Sequence, residues 1–318
     1  RGRVDWGRIR ATQCALSDAR PDAPPGAAPR VHLALVAVQL AFGTLPVVGK
    51  LVMEELAPFA LAWVRVLGGA VFFGGLWLAR RGEARVPFAD VLRIAGCGLL
   101  GMAANQVLFL GGLERTTAIN ASVLVTTIPV FAFLVALITR AERLGPRSGL
   151  GLALAFAGVL SLVGVEELTL GGRSALGDLM IVINAFCYGA YLVLVRPFVG
   201  RHGSLATVAI GFGAAAIAVA PFGAPHVASA GEAGATTWLL VAYILAVPTA
   251  LTYLLNAWAL KHAPSSTVAI YIYLQPVVGV LFAVAVLGEA LEPRAVASSA
   301  AVLAGIGLVI TRRRRALP

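Results

Sequence analysis

Charge is scarce in this chain. Only 13% of its 318 residues are Asp, Glu, Lys or Arg, about half the share of an ordinary soluble domain. With 59% hydrophobic residues, so few charges cannot cover a water-exposed surface, and a soluble globular fold is excluded. Cysteine is nearly missing as well. Cys14, Cys97 and Cys187 stand far apart, with neither metal-site spacing nor the density of a disulfide framework. No HExxH is present, which argues against a zinc intramembrane protease. Gly96, Gly98 and Gly101 spell GxGxxG, but inside an apolar run with no strand before it and no acidic residue after it. The stretch from Gly43 to Lys50 has one residue too many for a phosphate loop and is followed by Leu51 instead of Ser or Thr. An ATP-driven pump is therefore not expected. No acidic residue is central in any apolar run, and no acid, base or metal-ligand cluster suggests an enzyme. Neither a metal nor a cofactor is expected. The net charge of +10 has no Lys/Arg–aromatic array of a nucleic-acid module behind it.

What the chain has is long apolar segments, and lipid is their natural solvent. A spanning helix needs roughly 20 mostly apolar residues. Ten segments qualify: 31–52, 57–79, 90–111, 116–139, 147–165, 176–198, 203–223, 236–260, 263–287 and 294–311. Irregular backbone cannot face lipid, and the runs lack the alternation of barrel strands. The expected fold class is an all-α membrane protein. Residues 1–30, rich in Arg, Pro and Ala, read as a disordered basic tail, and 312–318 as a short basic one. Basic residues alternate between sides. With the N-terminus inside, twenty Lys and Arg fall on the cytoplasmic side. Four fall on the other: Lys50, Arg115, Arg173 and Arg294. By the positive-inside rule both termini are cytoplasmic. A multi-pass protein of the inner (plasma) membrane is expected.

The chain also repeats itself. Residues 113–163 match 260–310 at an offset of 147 without a gap, with about 12 of 51 positions identical. Pro129 falls on Pro276, Glu142 on Glu289, Pro146 on Pro293, Arg147 on Arg294 and Gly158 on Gly305. Five spans per half is an odd number, so the second half enters the membrane from the opposite side. The expectation is two inverted five-helix repeats, 31–165 and 176–311. Many secondary transporters follow this plan and place the substrate between the halves.

Further residues carry a resemblance. Gly49-Lys50 ends the first span, followed by Pro58 and the intramembrane Arg65. Ala118–Pro129 leads to Glu142-Arg143 and a glycine-bearing fifth span, and the second half repeats this as Ser265–Pro276, Gly288-Glu289 and Gly305. Over residues 31–311 the chain resembles the drug/metabolite transporter superfamily, and within it the EamA-type ten-helix exporters. The resemblance implies a central cavity lined from both halves and export of amino acids, related metabolites or drugs.

Polar residues inside lipid mark candidate sites. A central Arg costs roughly 2.5–3.5 kcal/mol on insertion scales, so Arg65 needs a partner, carbonyls or a wet cavity. It is either an anchor for a substrate carboxylate or a structural Arg bonded to helix ends. The uncharged set is Gln39, Thr44, Asn105, Gln106, Asn184, Tyr188, Tyr191, Tyr253, Asn256, Trp258, Tyr271, Tyr273 and Gln275, of which Gln39, Asn105, Asn184, Tyr188, Tyr253, Asn256, Tyr271 and Gln275 are taken as site candidates. Asn184, Tyr188 and Tyr191 share one helical face, as do Thr249, Tyr253 and Asn256. Together they suit a pocket for a small amphipathic solute, lined by the first, second, third, sixth, eighth and ninth spans. Interhelical hydrogen bonding is the alternative for each one. Pro129 and Pro276, at equivalent mid-span places, are either hinges or static kinks. Glu142 and Glu289 either cap the next helix, pair with nearby Arg147 and Arg294, or couple transport to protons. The reading is a secondary transporter whose partners are a small-molecule substrate and the lipid bilayer, exporting amino acids or similar metabolites by alternating access. Alternatives are drug-like or phosphorylated-sugar cargo, or a membrane protein that does not transport.

Overall fold

Lipid obliges the backbone to bond within itself, and the apolar runs do so as helices. A computed structural model of the protein describes residues 27–80, 86–139, 173–227, 231, 233–263, 268–269 and 271–291, with isolated positions in 150–157 and 293–304. Among the described residues, seven helices are long and apolar enough to cross a membrane: α1 (Pro29–Val52), α2 (Pro58–Ala79), α3 (Phe88–Leu113), α4 (Ala118–Ile138), α5 (Ser174–His202), α6 (Ser204–Val227) and α7 (Ala235–His262). A shorter apolar helix, α8 (Tyr271–Leu287), follows. No strand occurs among the described residues. The chain is an all-α, multi-pass membrane protein. Its first helix begins at Ala27, so the last residues of the expected tail are already wound. Most of the expected spans 147–165 and 294–311 lies outside the described residues, as do Glu142, Pro146, Arg147 and Arg294.

Local chemistry explains the starts and breaks. Pro58 opens α2, where its missing N–H costs nothing. Pro129 and Pro276 each stand just after a tightened 3₁₀ turn, Val125–Thr127 in α4 and Tyr271–Leu274 in α8. Proline removes a ladder bond and crowds the preceding turn, and the backbone answers with the tighter winding. Two π-helical turns interrupt α3 at Leu99–Ala104 and α7 at Ala246–Leu251. They are 147 residues apart, the same offset as the sequence repeat.

Contacts at the helix ends define two faces. On one, Asp90 at the start of α3 meets Arg201 and His202 at the end of α5, and His32 in α1 bonds Tyr271 at the start of α8. On the other, Lys50 at the end of α1 and Ala118 at the start of α4 meet Glu289 beyond α8, and Glu55 meets Gly234 before α7. Traced between these faces, α1 and α3 start on the Asp90 face, and α2 and α4 on the Glu289 face. In the second half the order reverses, with α5 and α7 starting on the Glu289 face and α6 and α8 on the Asp90 face.

Glycines allow the halves to approach closely. α2 and α6 form the most extensive helix pair, and a Cβ on Gly69 of α2 would lie 2.5 Å from the Phe212 ring of α6. α3 crosses α6 backbone to backbone: a Cβ on Gly98 would sit 2.5 Å from both the Cα and the carbonyl oxygen of Gly211. Close approach through small residues is the usual glue of membrane helices. Gly98→Ala is expected to cost about 1–3 kcal/mol by overpacking. Gly96→Ala, where nothing lies within 4 Å of the added Cβ, should be neutral or slightly stabilising. Thermal unfolding of both variants in detergent checks the contrast.

Candidate functional site

One of the largest fully buried side chains of α2 is a cation. Arg65 is 0% exposed, and among the described residues no carboxylate lies within ion-pair distance of it. Its Nε donates to Thr249 Oγ1 at 3.2 Å, its Nη2 to the Pro248 carbonyl at 3.4 Å, and its Nη1 to Gln106 Oε1. Two of these acceptors come from the π turn of α7. Pro248 lacks an N–H and cannot continue an α-helical ladder, and the widened turn leaves its carbonyl available to a second donor. That oxygen already accepts from Thr252 Oγ1 at 2.8 Å.

Gln106 carries the contact onward. Its Nε2 donates to Asn105 Oδ1 at 3.1 Å and to the Tyr253 hydroxyl at 3.4 Å. Tyr253 in turn donates to the Gly101 carbonyl in the π turn of α3. Gln106 and Tyr253 are themselves 147 residues apart, so the pair joins equivalent points of the two halves.

Beside this chain lies a cavity of about 50 Å³, walled by Asn105, Gln106, Asn184, Tyr188, Tyr253 and Gln275 among apolar neighbours such as Phe42 and Phe109. No charged side chain is among its lining residues. The volume suits only a few water molecules and is well below the roughly 300 Å³ of a small-ligand site. A solute therefore requires the helices to part. Lining residues come from α1, α3, α4, α5, α7 and α8. This corrects the expected set of spans: α4 contributes Ser122, Val125 and Ile128, whereas α2 contributes none.

Of the residues expected at a site, Asn105, Asn184, Tyr188, Tyr253 and Gln275 line the cavity together. Gln39 stands behind, accepting from Gln275 Nε2. Asn256 is also behind, donating from Nδ2 to the Tyr188 hydroxyl at 2.8 Å, with its Oδ1 buried and without a hydrogen-bond partner among the described residues. Arg65 lies beyond Gln106. Tyr271 is not part of the group. It bonds His32 on the Asp90 face, because the 3₁₀ turn that starts α8 leaves it roughly a turn below Gln275. Gln106 and Thr249, read from sequence as intramembrane polar residues but not as partners of Arg65, supply two of the acceptors that its burial requires.

Each face carries a polar closure between the halves. On the Asp90 face, Asp90 Oδ2 accepts from Arg201 Nη1 at 2.8 Å and lies 2.7 Å from His202 Nε2, while Arg93 Nη1 reaches Oδ1 at 3.1 Å. On the other face, Gly288 takes φ 66° and ends α8, a left-handed stop suited to glycine. Glu289, next in the chain, then accepts the Ala118 and Ile119 amides at 2.8 and 2.9 Å. Glu289 was expected to cap the next helix or pair with Arg294, which lies outside the described residues; the helix start it is seen to hold is that of α4, in the opposite half. Thr117 accepts the following amide, Asn120 N, at 3.0 Å. Asp178 of α5 bonds Thr116 and Asn120 at the same helix start. Carboxylates suit this positive end of α4.

The EamA-like transporter family pattern matches residues 30–164 and again 175–311. The chain belongs to the EamA-like transporter family. Membrane transport is the function this membership carries. Among relatives, an uncharacterized transporter of Archaeoglobus fulgidus is 27% identical over 266 residues, covering 82% of this chain and 90% of that protein. A probable terminal-alkyne amino-acid exporter of Streptantibioticus cattleyicolor is 27% identical over 243 residues, covering 74% and 79%. A solved crystal structure, described only as that of a protein, superposes with a TM-score of 0.65 at 20% identity over 90% of this chain and 98% of its own. It shares the fold.

For an EamA transporter the Glu289 closure is the contact most open to direct measurement. Glu289→Gln leaves one oxygen for two amides and turns an NH₂ toward one of them, so about 1–3 kcal/mol of stability should be lost. Lys50→Met should cost less than about 1 kcal/mol, since its ammonium is 3.9 Å away and partly exposed. Unfolding midpoints in detergent test the ranking.

Proposed function

We propose that this EamA transporter is a secondary carrier that exports amino acids or closely related amphipathic metabolites by alternating access. The cavity walled by helices of both halves is the observation that carries the reading. Its polar equipment fits a zwitterion. Asn105 Nδ2 is a donor with no protein partner among the described residues, and Asn184, whose Nδ2 is spent on the Asn105 carbonyl at 2.7 Å, keeps Oδ1 as an acceptor. Donors suit a carboxylate and acceptors an ammonium, while Tyr188, Tyr253 and Phe42 offer aromatic walls. The lack of a lining carboxylate disfavours a carrier for simple cations, and the lack of several central cations disfavours phosphorylated cargo. The name of the Streptantibioticus relative supports the amino-acid class and the outward direction.

In the proposed architecture the chain has ten spans, arranged as inverted repeats over 31–165 and 176–311. The reversed starting faces of α1–α4 and α5–α8 support it. The charge bias supports cytoplasmic termini in an inner (plasma) membrane. The Asp90 and Glu289 closures then open in alternation, with Pro129 and Pro276 as the flexing points. Proton coupling is left to the same experiment.

That experiment is counterflow with purified protein in liposomes, over a panel of amino acids with and without a pH gradient. Zwitterionic amino acids should exchange roughly tenfold or more faster than their decarboxylated amines, as the loss of a charge-assisted hydrogen bond implies. If none of the panel exchanges, the amino-acid reading is lost.

A further inference from the structure

The guanidinium that looks like a substrate anchor is out of reach of the cavity. Arg65 is fully buried and lines no part of it, whereas Gln106 lines it and bonds Arg65. This arrangement has a directional consequence. A guanidinium only donates, so the Gln106 atom facing Arg65 must be the acceptor Oε1. Nε2 then points the other way, toward Asn105 and Tyr253. Asn105 must meet that donor with Oδ1, which leaves its Nδ2 unengaged. Amide ends are nearly interchangeable in shape, and the bonding partner decides which end points where. Here the deciding partner is one buried cation two residues upstream in the relay.

Resting on the amino-acid reading above, we infer that Arg65 is a positioning residue. It orients Gln106, and through it Asn105, so that amide donors meet the solute carboxylate. Asn184 is held separately, by its bond to the Asn105 main-chain oxygen, and offers its acceptor to the ammonium. Carboxylate preference is thus written into the order of amide ends, with Arg65 at the head. The uncompensated charge of Arg65 reinforces it by making Gln106 a more polar donor, since hydrogen bonds in series polarise one another.

The decisive variant is Gln106→Glu. The new carboxylate still accepts from Arg65, so the buried cation is not orphaned and the protein should fold. It can no longer donate to Asn105. The Asn105 amide turns over, donates to the new carboxylate, and presents an oxygen to the cavity. The readout is the ratio of KM for an amino acid to KM for its decarboxylated amine, in the same liposomes as wild type. The amino-acid KM should rise roughly tenfold or more, the amine should gain, and kcat should change less than KM. Asn105→Ala is the second variant. It removes the proposed contact and leaves Arg65 untouched, so the preference should vanish, whereas an anchoring Arg65 would preserve it. Arg65→Lys, which can still donate to Gln106 Oε1, should keep the preference that Arg65→Met loses. If wild type exchanges amino acids and both Gln106→Glu and Asn105→Ala keep its preference, the relay is wrong. If wild type exchanges no amino acid, the failure belongs to the proposed function instead.

Discussion

A guanidinium cannot shed its proton inside lipid, and among the described residues this one has no carboxylate beside it. Much of the centre of the molecule follows from that. Arg65 needs acceptors from more than one direction. α7 provides two of them by widening into a π turn around Pro248, and α3 provides the third through Gln106. Two of the acceptors have other bonds of their own, the Pro248 carbonyl with Thr252 and Gln106 with Asn105 and Tyr253. The result is a polar spine from α2 through α3 to α7, around which the apolar helices pack. Breaking one member leaves a buried charge short of an acceptor, a costlier loss than a single neutral hydrogen bond.

The two halves agree in their frame and differ in their chemistry. Both place a π turn at the same offset and a proline after a 3₁₀ turn at the same offset. Yet just beyond the π turns one half has Asn105 and Gln106 and the other Thr252 and Tyr253. Replacing an amide by a phenol on one side lets Gln106 donate to Tyr253 across the junction of the halves. The two halves thus carry different side chains where a common backbone plan brings them together.

The seven described spans, the repeat in the sequence, the family resemblance and most of the polar inventory could be read from sequence because each depends on composition or spacing along the chain. Five of the nine expected site residues do share the cavity. The rest depended on facts between helices. Counting i, i+4 and i+7 put Thr249, Tyr253 and Asn256 on one face, but each meets a different partner: Arg65, Gln106 and Tyr188. A π turn alters helical phase without leaving a composition signal, and the tightened start of α8 took Tyr271 away from Gln275. The contribution of α4 to the cavity, and the absence of α2 from it, are matters of lateral packing that no single-helix pattern encodes.

Glu289 shows what gripping main chain instead of side chain implies. Its two oxygens hold the amides of Ala118 and Ile119, groups that every residue except proline possesses. The gripped surface can therefore drift through many substitutions while the grip persists. An ion pair in the same place would force its two members to change together. The grip on these two amides leaves no such correlated trace, so comparing related sequences for paired changes would register at most the long, partly exposed Lys50 contact to the same carboxylate.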